Sequence, residues 1–304
     1  MVKVLITDGM DQDSIKTLRD HGFEVVEKFY PPEELAVQVK DFDILVVRSA
    51  TKVNKAIIDG AVGGRLKFVI RGGVGVDNID VKYAMENGIK VMNTPGASSA
   101  SVAELTIAHM FAVARFLESS NVSMREGKWE KKKYEGVELA GKTLGLIGFG
   151  RIAREVAKRA DALGMKVIYT DITGQANGGD QYEFFPFEDL LRRSDFISLH
   201  IPYDKEKGSV ITNREFTLMK DGAYLVNCAR GGLVNESDLI EALEQGKIAG
   251  ACVDTFEEEP TPNEALIKHP RVSVTPHIGA STVEAQQRIG QEVVGLIIEH
   301  APQV

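Results

Sequence analysis

Short β-branched runs separated by helical patterns recur along most of this chain, and that alternation constrains its fold more than any other feature. The runs VLIT at 4–7, DILVV at 43–47 and LKFVI at 66–70 read as buried parallel strands with helices between them. The rhythm resumes with TLGLIG at 143–148, KVIYT at 166–170, FISLH at 196–200, AYLVN at 223–227 and VSVTPH at 272–277. A strand that is apolar at nearly every position is buried on both faces, and the intervening helices supply the cover. The expected architecture is therefore α/β, with two parallel sheets. Length agrees, since 304 residues at roughly 150 per domain suggest two domains.

Between the two runs of strands lies one long helix candidate, Ser101 to Leu117. It is read as opening with a capping box of Ser101 and Glu104, and its interior, VAELTIAHMFAVARFL, is apolar on nearly every face. Such a helix is expected to be buried all round, at a domain or subunit seam. The segment REGKWEKKKYEGVEL, 125–139, reads as a surface connection. The last stretch, Ser281 to Glu299, has helical spacing and follows the final strand, so it can return to the first sheet and make that domain discontinuous.

Composition narrows the function. With 36 basic and 44 acidic residues the net charge is −8, and there is no long basic block, so the phosphates of nucleic acid are a poor partner. No apolar run approaches the ~20 residues of a membrane helix, and MVKVLITDGM reads as a strand rather than a signal peptide. Cys228 and Cys252 cannot form a disulfide framework for a chain of this size, and both sit in apolar, strand-like stretches as inert thiols. A cytoplasmic globular protein is expected.

The most specific local signal follows the strand TLGLIG. Gly148-Phe149-Gly150-Arg151-Ile152-Ala153 leads into a helical run that stops at Gly164, and a second strand ends at Asp171, 23 residues past Gly148. Gly148 permits a tight strand-to-helix turn, Gly150 lets a pyrophosphate approach the backbone, and Ala153 keeps helix and sheet close. The phosphates would rest on the helix N-terminus. Asp171 would accept a hydrogen bond from a ribose 2′-hydroxyl and repel a 2′-phosphate, so NAD is favoured over NADP.

Three ionisable residues fall at the ends of consecutive later strands: Arg230 in NCARGG, Glu259 in DTFEEEP and His277 in TPHIGAS. Strand C-termini are where α/β sheets place their sites. An arginine offers a planar fork to a carboxylate, a histidine moves a hydroxyl proton near neutral pH, and a glutamate beside it holds the other ring nitrogen. Those are the parts needed to move a hydride onto or off a 2-hydroxy acid.

Taken together, VRSATKVN, RGGVGVDNID, NTPGASSASVAEL, GKWEKKKYEGVEL, LGLIGFGRIAREVA, VNCARGGLVNE, DTFEEEP and TPHIGAST resemble the D-isomer-specific 2-hydroxyacid dehydrogenases over nearly the whole chain. Two small departures are Ala153 at the third glycine and Gly72 where alanine is common. The resemblance implies two doubly wound domains, a Rossmann NAD-binding domain at 98–279 inserted into a flavodoxin-like substrate domain at 1–97 plus 280–304. It implies that Arg230 binds the substrate carboxylate, that His277 is the acid/base and that Glu259 pairs with it. Asp254 would hold the nicotinamide carboxamide, and Arg151 and Ile152 would cover the pyrophosphate. Ile201 and Cys228 would line the adenosine and nicotinamide sides, with Val74, Gly279 and Ala280 also in the cofactor set. A homodimer through the helix at 101–117 is implied as well.

For the substrate, the backbone N–H groups of Gly73, Val74 and Gly75 are a candidate anion nest for a carboxylate. Arg48 and Arg71 each follow an apolar strand, Ser49 joins the substrate set, and Lys131 resembles a basic residue offered across the dimer by phosphoglycerate-oxidising members. Together they suit a phosphate. The expected reaction is oxidation of 3-phosphoglycerate to 3-phosphohydroxypyruvate with NAD, the entry step to serine. The alternatives are a glyoxylate or hydroxypyruvate reductase, and an NAD-sensing, corepressor-like binding module. The chain ends at Val304, so no serine-binding regulatory domain is expected.

Overall fold

The computed structural model describes residues 1–176 and 181–301; the last three residues of the expected substrate domain, 302–304, lie outside it. Contacts divide the chain into Met1–Ser98 with Ala280–Val304, and Ser99–Gly279.

In the first unit the strands are β1 (Lys3–Ile6), β2 (Glu24–Glu27), β3 (Ile44–Val47), β4 (Phe68–Arg71) and β5 (Lys90–Asn93). All pair in parallel in the order β2-β1-β3-β4-β5, the flavodoxin-like winding. The connecting helices are α1 (Gln12–Asp20), α2 (Pro32–Gln38), α3 (Lys55–Ala61) and α4 (Val81–Glu86). The C-terminal helix, Val283–His300, returns to this sheet. Its Ile289, Val293 and Ile297 pack with Val4, Ile6, Ile15 and Leu18, while Leu5, Leu45 and Val47 on the opposite face meet Leu35, Ile57 and Ile58. Two glycines fit this layer closely. A side chain at Gly290 would run into Ser14, and one at Gly72 would come within 3.1 Å of the Ile289 side chain, a tight contact.

The second unit holds β6 (Thr143–Ile147), β7 (Lys166–Thr170), β8 (Glu183–Phe184), β9 (Phe196–Leu199), β10 (Ala223–Asn227), β11 (Ile248–Val253) and β12 (Val272–Val274). Their order, β12-β11-β10-β9-β6-β7-β8, is all parallel and reverses direction between β6 and β9, as a dinucleotide-binding sheet does. Helices α5 (Ser99–Ala114), α6 (Leu117–Arg125), α7 (Arg151–Ala162), α8 (Phe187–Arg193), α9 (Asn213–Leu218), α10 (Glu236–Glu244) and α11 (Glu264–Ile267) cover it.

The long helix differs from its sequence reading in three ways. It starts at Ser99, so Ser101 lies inside the first turn and no capping box forms there; the Glu104 carboxylate instead meets Arg159 of α7 at 2.9 Å. It ends at Ala114, because Phe116 adopts a left-handed backbone (φ 52°) and α6 leaves at 64° to α5. Nor is it buried all round: Glu104, Ala108, Phe111 and Arg115 form an exposed stripe, while its other faces pack on α7 and β10–β12. Among the described residues no single helix is long and apolar enough to cross a membrane.

Candidate active site

The glycine turn is built as its spacing requires. Gly148 has φ 86°, and a Cβ there would strike the His200 carbonyl and Ile201. Gly150 caps α7 with an ordinary φ of −80°, and a Cβ on it would meet nothing within 4 Å. Nothing in the protein demands glycine at that point, so the empty space suits a ligand lying against the backbone at the N-terminus of a twelve-residue helix. Ala153 is fully buried against the sheet, Arg151 is exposed, and Ile152 is half-buried.

Asp171 directly follows β7, which ends at Thr170, and it also holds the turn together. Its Oδ2 accepts the Phe149 N–H at 2.8 Å, and its Oδ1 accepts the N–H and hydroxyl of Thr173 at 2.9 and 2.8 Å. Partial burial opposes its charge, yet those donors and the nearby Arg154 guanidinium outweigh that and lower its pKa. Three of roughly four acceptor positions are taken, leaving one for a ribose hydroxyl. Arg154, stacked 4.4 Å over the Phe149 ring, was not singled out by the motif.

The three ionisable residues converge at the far end of the same sheet. His277 has φ 53°, a rare backbone for a residue with a Cβ, and its Nδ1 lies 2.8 and 3.1 Å from the two Glu259 oxygens. Glu259 also accepts the Phe256 N–H at 3.1 Å. Desolvation raises its pKa, but the His277 contact, the Phe256 N–H and the Arg230 charge prevail and lower it. The carboxylate therefore orients the ring and leaves Nε2 as the working nitrogen. Arg230 is steadied from its backbone, where its carbonyl accepts from Asn227 at 2.8 Å.

Asp254 is buried beside this group. Its Oδ1 accepts the Thr275 hydroxyl at 2.6 Å and the Ile278 N–H at 2.8 Å, and its Oδ2 accepts the Gly279 N–H at 2.9 Å. It thus seats the turn that carries His277, a job not read from the sequence. Cys228 and Cys252 are buried free thiols, and burial pushes the Cys228 pKa up to about 12 and that of Cys252 well above the ordinary range, so both are inert at neutral pH.

The expected anion-binding residues belong to different units. Arg48, Ser49, Arg71 and the glycine loop lie in the first, Lys131 in the second. Arg48 follows β3, and burial lowers its pKa against the opposing pull of Asp8. The Asp8 carboxylate, missed by sequence reading, accepts the N–H groups of Arg48 and Thr51 at 2.7 and 3.0 Å and so pins this loop; Ser49 is exposed on it. The Arg71 guanidinium folds over Gly73, whose φ of 149° favours glycine. The nest needs one correction: the Gly73 N–H is taken by the Arg71 carbonyl at 2.9 Å, which leaves Val74 and Gly75 as donors. Lys131 is exposed on a short turn in which Lys133, not Lys131, pairs with Glu130. Ala280 falls in the first unit, where its carbonyl accepts from Gln286.

One stability effect follows from the turn's support. His200, behind Gly148, has its pKa pushed by burial down to about 4, with its ring 2.9 Å from the Ser198 hydroxyl. The unfolded chain binds the extra proton near pH 6.5 and the folded one only near 4, so stability falls as pH drops through that window, by at most about 3 kcal/mol. Glu259 and Asp171, with lowered pKa values, lose stability in the same direction at the acid end. Urea unfolding at pH 7 and 4.5 should show a smaller difference for His200→Gln than for the parent; an equal difference assigns the effect to the carboxylates alone.

Comparison with known proteins gives the family. Residues 107–279 match the model of the D-isomer specific 2-hydroxyacid dehydrogenase NAD binding domain. The chain belongs to the D-isomer-specific 2-hydroxyacid dehydrogenase family. It is 46% identical to the D-3-phosphoglycerate dehydrogenase of Methanocaldococcus jannaschii over 95% of this chain, but spans only 56% of that protein, little more than half its length. It is equally 46% identical to the hydroxypyruvate reductase of Thermotoga maritima, covering 98% of this chain and 97% of that one. Among solved structures it resembles the D-lactate dehydrogenase of Aquifex aeolicus complexed with NAD and lactic acid, with TM-score 0.83 and 29% identity over 99% and 96% of the two chains.

Proposed function

We propose that this protein transfers a hydride between NAD and a D-2-hydroxy acid. The observation that carries the reading is the His277–Glu259 pair at 2.8 Å with Arg230 close enough to lower the Glu259 pKa, all at the C-terminal edge of a dinucleotide-binding sheet. NAD, held at the glycine turn and Asp171, would supply the acceptor for the hydride at C2 of the hydroxy acid. Arg230 holds the carboxylate in a bidentate grip and polarises the adjoining oxygen. His277 Nε2 removes the proton of the 2-hydroxyl, and Glu259 stabilises the imidazolium that results. In reduction the same groups act in reverse. The glycine turn, Arg151, Ile152 and Asp171 are read as the cofactor's seat, with Val74, Ile201, Cys228, Asp254, Gly279 and Ala280 around it. The 1–97 plus 280–304 portion is read as the substrate domain.

The substrate we favour is 3-phosphoglycerate. Support comes from Arg48, Arg71 and Lys131, a set of cations beyond the one a carboxylate needs, and from similarity to a phosphoglycerate dehydrogenase over 95% of this chain. Hydroxypyruvate reduction is the second reading, favoured by the match along nearly the full length of the Thermotoga protein. The exposed stripe through Ala108 and Phe111, continued by exposed Leu117, Val122, Met124 and Trp129, is read as the face of a homodimer. Initial rates with a panel of 2-hydroxy and 2-oxo acids, each with NAD(H) and NADP(H), test the whole reading. Turnover of none of them removes it.

Coenzyme choice has its own test. Asp171→Ala should lower the ratio of NAD to NADP efficiency by about tenfold or more, because it deletes a charge-assisted acceptor for the ribose hydroxyl and the carboxylate that repels a 2′-phosphate. A parent protein that used both coenzymes equally would show that Asp171 serves only to hold the turn.

A further inference from the structure

His109 is buried in the middle of α5, and the chemistry proposed above makes no use of it. Its two ring nitrogens both touch hydroxyls: Nδ1 lies 2.7 Å from Ser273 Oγ and Nε2 lies 2.8 Å from Thr275 Oγ1. Each hydroxyl in turn reaches a carboxylate, Ser273 to Glu118 at 2.7 Å and Thr275 to Asp254 at 2.6 Å. The result is one row, Glu118–Ser273–His109–Thr275–Asp254, that starts on exposed Glu118 and ends on the residue that seats the His277 turn.

Counting hydrogens shows that one link of the row lacks a hydrogen. Four links need four hydrogens, but two hydroxyls and a neutral imidazole between two carboxylates supply three. Both hydroxyls reach carboxylates, Thr275 to Asp254 at 2.6 Å and Ser273 to Glu118 at 2.7 Å, and one link must give way. Asp254 is buried and Glu118 exposed, so the Thr275 donation is the one kept, the Thr275 oxygen accepts from the ring, and the ring hydrogen sits on Nε2. Nδ1 is then bare and accepts the Ser273 hydroxyl. The missing hydrogen falls on the Ser273–Glu118 link, which lies beside a small surface cleft where water can substitute. Burial agrees with a neutral ring, since it lowers the His109 pKa against the pull of Asp254. The other titratable groups around it are the thiols of Cys228 and Cys252, both neutral, while Glu104 and Glu155 pair with Arg159.

We propose that His109 is a positioning residue for His277: its Nε2–H tautomer turns the Thr275 hydroxyl onto Asp254, and Asp254 holds the N–H groups of Ile278 and Gly279. The inference rests on the reading of His277 as the acid/base. It assigns α5 a part in aligning a proton transfer that takes place on a different element.

The test pairs His109→Leu, which deletes both links, with His109→Gln, whose amide keeps one donor and one acceptor. The Leu variant should lose about tenfold in kcat with KM for the 2-oxo acid little changed. Its Ile278 and Gly279 amides should exchange about tenfold faster, and Gln should restore most of both. In the parent, ¹⁵N spectra of the imidazole should show Nε2 protonated and Nδ1 bare at neutral pH. An Nδ1–H tautomer, an imidazolium, a Leu variant with parental kcat and exchange, or a Gln variant no better than Leu each overturns the proposal. Should the Leu variant fail to fold, Thr275→Val cuts the row one link later and the same readouts apply. If the parent turns over no 2-oxo acid, the acid/base reading fails, while the nitrogen and amide measurements still decide for or against the row.

Discussion

Replacing His277 by alanine should lower turnover by roughly 10²- to 10⁴-fold while NAD binding, followed by calorimetry, survives. The loss is large because no second group stands ready to take the proton: Glu259 is committed to His277 Nδ1, and its pKa is held down. NAD binding survives because the glycine turn and Asp171 lie on other elements, supported by their own hydrogen bonds. The left-handed backbone at position 277 calls for a second variant, since alanine is strained there. His277→Asn tolerates that conformation and cannot exchange a proton, so it should be as inactive as alanine without the strain. Near-parental turnover in either variant would move the acid/base role elsewhere.

The choice of substrate turns on a ratio rather than a rate. A phosphate in a shielded site draws charge-assisted hydrogen bonds of about 1.5–3 kcal/mol each. At roughly 1.4 kcal/mol per tenfold, removing one costs about 10- to 150-fold in kcat/KM. Arg48→Ala, Arg71→Ala and Lys131→Ala should therefore hurt 3-phosphoglycerate far more than an unphosphorylated 2-hydroxy acid. The three sites differ in kind. Arg48 is half-buried on a loop tied down by Asp8, whereas Lys131 is exposed and contributes only if something covers it. If Lys131 serves the partner's site in a dimer, mixed dimers with one intact site should recover part of the lost activity. Equal losses for both substrates would mean general electrostatics, and no loss in any variant favours hydroxypyruvate reduction. An exposed lysine run alone would give almost no change.

The parts of the fold that announce themselves are those buried on both faces. KVIYT and AYLVN are strands at the residues where their apolar runs lie, but burial alone is not enough. IAGACV of β11, central and buried, is rich in Gly and Ala and does not read as a strand, whereas VSV of the edge strand β12 does. The edge strands EVVE and KVMN carry charged ends and half-exposed faces, and they escape that test. Helix starts are also weakly written: Ser98, Ser99 and Ser101 fall within four residues, and the helix begins at Ser99 rather than after Ser101. Arg230, Glu259 and His277 were legible because each follows a strand and each has a side chain suited to one step. The residues that hold them in place were not. Asp8, which reaches across 40 positions to Arg48, and His109, which reaches across 164 to Ser273, carry no local signature; only the folded chain brings them to their partners.

The return of the C-terminal helix to the first sheet has a consequence for how the molecule is made. Ile289, Val293 and Ile297 close the layer over Val4, Ile6, Ile15 and Leu18, but the ribosome reaches them about 200 residues after β5 is complete. At roughly 5–20 residues per second, that face of the earlier sheet waits on the order of 10–40 s for its cover. The intervening 99–279 unit contains every strand of its own sheet and needs nothing that comes later. The part of the chain synthesised first is therefore the part finished last, and its uncovered apolar face is the surface a nascent-chain chaperone would meet.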